Sequence, residues 1–245
     1  MSDDTKNRQK DTEEMNPAEP GGFTGSSMEE LQQVLGHLLN TDIHLSSKDL
    51  PGIDLYMDQV TTFLEQKLEP LTRHPGEDKT LTKTMINNYA KADLLIAPVR
   101  KKYGSDHLML LLIIYFFKNF MSINDVQQIL QPLKDKCFTE EQQTGKPARK
   151  GKGKNGEDST AQEPPLQLQQ VFDVIEADVA EQMKQSRRDL EQLMEKSAKS
   201  FPDADPAERD MLQSFDCLCR LGADIYFKKL FIEKTLDQEK DGGGE

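Results

Sequence analysis

Apolar residues recur at spacings of three and four along most of this chain, and no long stretch alternates apolar with polar, so the pattern predicts a mainly helical protein. Ser27 and Glu30 form a capping-box pattern ahead of Leu31, Val34, Leu35, Leu38 and Leu39. This predicts a short amphipathic helix over 28–39, packing on the main domain. Leu50-Pro51-Gly52 breaks the chain, and Met57, Val60, Phe63, Leu64 and Leu68 mark a helix over 56–68. Pro70, Pro75 and Gly76 then make a loop reaching to Lys79. Thr82 is a suitable N-cap for the next helix, over 82–93, in which Ile86, Tyr89 and Ala90 face inward. Lys83, Thr84, Asn87, Asn88 and Lys91 are left outward.

Pro98 forbids helix just before it, and Val99 to Tyr103 reads as a strand or a clipped wing. Leu108 to Phe117 is apolar on every side, so its helix needs neighbours all round. Ser122 with Asp125 opens a further helix, carrying Ile123, Val126, Ile129 and Leu130 and ending near Pro132. Beyond it the composition turns to glycine, lysine, proline and glutamine, which predicts a flexible linker over 138–165. Two long helices follow, one over 166–198 and one opening with Asp205-Pro206-Ala207-Glu208, a strong start signal, and running to about Leu236. Residues 1–26 and 237–245 read as disordered tails, the first polar, acidic and rich in proline and glycine. The domain plan is therefore 27–137, the linker 138–165 and a C-terminal helical pair over 166–236.

Composition restricts the functions open to this plan. Formal net charge is -12 over 245 residues, so any nucleic-acid contact must come from a segregated patch. Three cysteines cannot all pair, and Cys217 and Cys219 are too close within a helix for a normal bridge, which fits reduced thiols in a cytoplasmic protein. The N-terminus has no apolar core of a secretory signal, and the longest apolar run is well short of the roughly 20 residues a spanning helix needs, so no membrane partner is expected. His37, His44, His74 and His107 are scattered, with no zinc-ligand spacing. A Gly-rich phosphate loop, GxSxG and CxxC are all missing. The chain reads as a non-enzyme, with no cofactor or metal site.

The basic residues are more informative. Between Lys79 and Lys102 stand six of them, with Arg100, Lys101 and Lys102 in a row, against the single acid Asp93. Over 54–133 the balance is nine against nine, so charge is segregated. Lysine and arginine neutralise phosphates, and asparagine can pair in bidentate fashion with adenine. This predicts Lys83, Arg100, Lys101 and Lys102 on the DNA backbone, and Thr84, Asn87, Asn88 and Lys91 nearest base edges. The bland alternative is that Asn87 and Asn88 solvate a helix face and the lysines oppose acids elsewhere. A second basic run, Lys146 to Lys154, reads as solvated spacer or as a nonspecific phosphate contact.

The segments DLYMDQV, LTKTMINNY and KADLL, then KKY before the apolar helix, closely resemble a bacterial domain family of unknown function. More distantly, their order resembles the mercury-resistance-type (MerR-like) winged helix-turn-helix regulators. Ile86, Asn87, Asn88, Tyr89, Leu94 and Leu95 fall on that family's recognition helix, with Asn87 and Asn88 in place of an arginine and a tyrosine and Asp93 in place of a glycine. Pro98, Lys102 and Tyr103 fall on its wing, and Ser122, Ile123 and Val126 on its final helix. The resemblance implies an all-α protein with a winged helix-turn-helix core and a short wing. It also implies a sequence-specific regulator of transcription that binds double-stranded DNA as a homodimer through C-terminal helices, with an unknown small-molecule effector. The competing expectation is a helical adaptor that binds another protein through its C-terminal helices.

Overall fold

The computed structural model describes residues 27–40, 46–145 and 166–242, and it is mainly helical. The tail expected over 1–26, the basic run from Lys146 to Lys154 and residues 243–245 lie outside the described residues. In chain order the helices are α1 (Met28–Asn40), α2 (Met57–Leu68), α3 (Lys83–Lys91), α4 (Ser105–Lys118), α5 (Ile123–Cys137), α6 (Glu140–Thr144), α7 (Leu168–Ser197) and α8 (Pro206–Gly242). Two short strands, β1 (Leu55–Tyr56) and β2 (Lys102–Tyr103), pair antiparallel with Leu55 opposite Tyr103.

The apolar helix takes the centre, as its composition demands. Leu108, Met109, Leu110, Leu111, Leu112 and Ile114 of α4 are all essentially inaccessible. At about 1.5–3 kcal/mol for each fully buried large side chain, this helix is the largest single contributor to the core. Val60, Leu64 and Leu68 of α2, Ile86 and Tyr89 of α3, and Val126 and Leu130 of α5 join it there. Leu168 and Phe172 of α7 and Leu236 of α8 complete the same core, so the C-terminal helices do cover part of α4 and α5.

The helical pair is antiparallel. The start of α7 and the end of α8 meet the main core, whereas Met194 near the end of α7 and Cys217 near the start of α8 meet Met28 of α1 in a second, smaller cluster. The turn between them is tied by Gln213, whose amide donates to the carbonyls of Ala198 and Ser200 at 2.8 and 2.9 Å. The Asp205 carboxylate accepts from Ala207 N at 2.9 Å, as its cap position predicts.

Four expectations need correction. Although α1 forms with its capping box intact, Ser27 N donating to Glu30 and Glu30 N to Ser27 Oγ, it packs on α7 and α8 rather than on the main domain. Helix α5 does not end near Pro132 but runs through it to Cys137. Proline inside a helix costs about 3 kcal/mol; burial of Lys134, Cys137 and Phe138 beyond it offsets that cost. The first eight residues assigned to the linker, 138–145, are folded. Thr139 and Gln142 cap α6 reciprocally, and Gly145 closes it in the left-handed conformation at φ 66°. Finally, α8 extends past Leu236 to Gly242, into the segment read as a tail.

A candidate nucleic-acid interface at α3 and the β2 hairpin

Thr82 caps α3 as expected, its Oγ1 accepting from Met85 N at 3.2 Å. Ile86 and Tyr89 are buried, and Lys83, Thr84, Asn87, Asn88 and Lys91 are all exposed. The outward face predicted for this helix is therefore the outward face observed. Its neighbour is α2, whereas α7 and α8 pack chiefly on each other, α7 also on α4 and α8 also on α1 and α5.

The C-terminal end of α3 is built in an unusual way. Asp93 adopts a left-handed conformation, φ 54°, which lets Leu94 N and Leu95 N both donate to Tyr89 O at 2.9 and 3.2 Å. Glycine would take this conformation without strain. The compensation comes from α5: the Lys134 ammonium donates to the Asp93 carbonyl, and the Lys134 side chain is only 2% exposed as a residue. Burial pushes the Lys134 ammonium below the ordinary lysine value, with Asp93 and Asp135 acting in the opposite direction. A cation buried at a helix C-terminus is well placed against the carbonyl end of the helix dipole.

The segment expected to form a strand or a clipped wing is a tight hairpin. Val99 and Lys102 exchange backbone hydrogen bonds at 3.0 and 3.1 Å around Arg100 and Lys101, which sit at φ 51° and 65°. Positive φ at both central residues defines a type I′ turn, for which Asn-Gly is the unstrained choice. Arg100 and Lys101 occupy it at a steric cost and are exposed at its tip.

The hairpin and the start of α3 meet at one place, the N-terminus of α2. Lys102 lies over the Tyr56 ring, 5.2 Å from its centroid, and Lys83 forms an ion pair with Asp58, two residues along. Both partners of that pair are more than half exposed, so it contributes little and can be exchanged for a phosphate. Thus Lys83 and Lys102 both reach the N-terminus of α2.

The base of the hairpin is fixed by His107, a residue given no such role by its position in the sequence. Its Nδ1 accepts from Gly104 N at 3.1 Å, which leaves the hydrogen on Nε2, facing Ala97 O at 3.3 Å. Ala97 N in turn donates to the carbonyls of Gln142 and Gln143, so α6 holds the other side of the same residue. The imidazole also packs edge-on against Tyr103, with centroids 5.3 Å apart. Burial lowers the His107 pKa below its usual 6.5, and the Ala97 carbonyl, Asp106 and Asp54 pull it back only in part. The folded protein therefore binds this proton less well than the unfolded chain does. The stabilisation is complete above about pH 6.5 and is lost as pH falls from there through the folded pKa. Denaturant titrations between pH 7 and pH 5 should show declining stability, and His107→Gln should flatten that decline; an unchanged slope in the variant would exclude His107 as its source.

Among the described residues no group of histidine, cysteine, aspartate or glutamate side chains could hold a metal ion, and no helix is long and apolar enough to cross a membrane. Cys137, Cys217 and Cys219 are free thiols, and burial raises the pKa of the first two.

Structurally this is a small helical domain clipped by a two-stranded ribbon, with an antiparallel helical pair docked on it. Residues 45–148 match the family model described as Domain of unknown function (DUF1836), in agreement with the resemblance carried by DLYMDQV and LTKTMINNY. The matched segment runs from before β1 to just beyond α6, so α6 falls within it, while α1, α7 and α8 fall outside. No curated protein and no solved structure matches the chain.

Proposed function

We propose that this protein is a sequence-specific, DNA-binding regulator of transcription with a MerR-like helix-turn-helix arrangement. On this reading α3 enters the major groove and the Val99 to Lys102 hairpin lies on the flanking backbone. The observation that carries it is the hairpin tip. Two cationic side chains hold left-handed backbone conformations that Asn-Gly would adopt more cheaply, and they stand beside a helix whose free face is lysine, threonine and asparagine. Strain of this kind persists where the side chains serve a function. Arg100, Lys101, Lys102 and Lys83 contact phosphates, and Thr84, Asn87, Asn88 and Lys91 approach base edges. Asn87 in particular suits adenine.

Such a regulator acts in the cytoplasm and works as a dimer. Met211, Phe215, Leu218 and Ile225 of α8 recur at spacings of three, four and seven and are all more than a third exposed, which supports self-association along that face. The same stripe supports a second reading, an adaptor that binds a different protein there and no DNA.

Selection of bound fragments from genomic DNA separates the two. Enrichment of a common sequence is expected for the regulator; no DNA retained even at low salt would favour the adaptor. On a selected site, Asn87→Ala should cost about tenfold in preference over a mutated site, as expected for about 1–3 kcal/mol per bidentate contact. Lys101→Ala should weaken all sequences alike.

A further inference from the structure

A cavity of about 250 Å³ lies between α4 and α7, and nothing in the DNA-binding reading uses it. Phe116, Phe117 and Phe120 form one wall, and Phe172, Ile175 and Val179 form the other. Glu176 alone among its lining residues is ionisable. The pattern on α7 is informative. Leu168, Phe172, Ile175 and Val179 fall on one helical stripe; the first two are buried in the core, whereas Ile175 and Val179 are 42% and 41% exposed. The stripe thus leaves the core and continues as a cavity wall, facing Phe116, Phe117 and Phe120 across the open space.

What fits there follows from size and chemistry. A water cluster needs two to four polar partners per molecule, and these walls do not supply them. A charged ligand would lose its hydration against carbon. The site is open on the side where Phe120, Ile175 and Val179 reach solvent, and its volume exceeds the roughly 150 Å³ of apolar cavities that take up benzene, so it accommodates two fused rings. We propose that the cavity between α4 and α7 is a binding site for an uncharged apolar molecule about the size of two fused rings. Such a ligand joins the two parts of the molecule, since one wall belongs to the segment that matches the domain family and the other to the C-terminal pair.

The test is a titration of the full-length chain with naphthylamine, which is neutral at pH 7 and fluoresces more strongly out of water. Saturable binding of one probe per chain, displaced by naphthalene, is expected. Ala180→Phe, which fills the cavity from a part-exposed position on α7, should weaken binding at least tenfold while leaving the helical circular dichroism unchanged. Val179→Gln should weaken it too, at a position where a polar side chain reaches solvent. Phe231→Ser, on the exposed side of α8, should leave it as it was. The proposal is overturned if no saturable binding occurs, if Phe231→Ser abolishes binding while Ala180→Phe does not, or if affinity falls as protein concentration rises. The last result would mean that a second chain, rather than a small molecule, occupies the site.

Discussion

Replacing Arg100 by Asn and Lys101 by Gly together should make the protein more stable and a poorer DNA binder. The native residues hold φ 51° and 65° at the centre of a type I′ turn. Asn-Gly relieves both, a gain of about 1–2 kcal/mol in unfolding free energy. On the proposed reading the same change removes two phosphate contacts. Each neutralised phosphate contributes about -0.9 to the slope of log affinity against log salt, so the slope should become shallower by about 2. Opposite movement of stability and affinity is the signature: a variant that lost both would mean that the hairpin needs these side chains to form, and one that kept both would mean that the tip does not touch DNA.

The second large effect is expected at Lys134. Lys134→Met keeps most of the buried stem and removes the ammonium, leaving the Asp93 carbonyl without the donor that α5 supplies. A buried acceptor deprived of a charged partner costs about 2–3 kcal/mol. Lys136→Met, in the same helix but exposed, serves as the control and should be neutral within about 0.5 kcal/mol. Because the lost bond lies at the end of α3, the variant should also discriminate less between the selected site and its mutants, although Lys134 itself reaches no DNA. Loss of stability with discrimination intact would restrict Lys134 to a packing role.

Much of this arrangement was legible in the sequence because it rests on local chemistry. Thr82 and the spacing of Ile86 and Tyr89 fix α3 and its outward face, and Asp205-Pro206 fixes the start of α8. The wholly apolar run from Leu108 identifies α4 as the central helix. The parts that were not legible depend on distant partners or on an atypical choice of residues. Asp93 gives no glycine signal for a left-handed cap, and the lysine that compensates stands 41 positions away. Arg100-Lys101 lacks the Asn-Gly signature of a tight hairpin, so the wing could be placed but its turn could not. Pro132 suggests an end to α5 that burial of Lys134, Cys137 and Phe138 overrides. The Thr139 and Gln142 capping pair was visible in principle, but the low-complexity composition immediately after it drew the linker boundary too early. His107 looked like one of four scattered histidines, because both its partners, Gly104 and Ala97, are backbone atoms.

The salt dependence of binding to a selected DNA fragment tests the central claim most directly, because it counts the cations that α3 and the hairpin bring to phosphates. The proposed reading puts Lys83, Arg100, Lys101 and Lys102 on phosphates, so the slope of log affinity against log salt should be about -3.6, approaching about -5 if Lys79 and Lys91 add to them. Absence of retained DNA even at low salt, or a slope near zero, would contradict the assignment of this face to DNA.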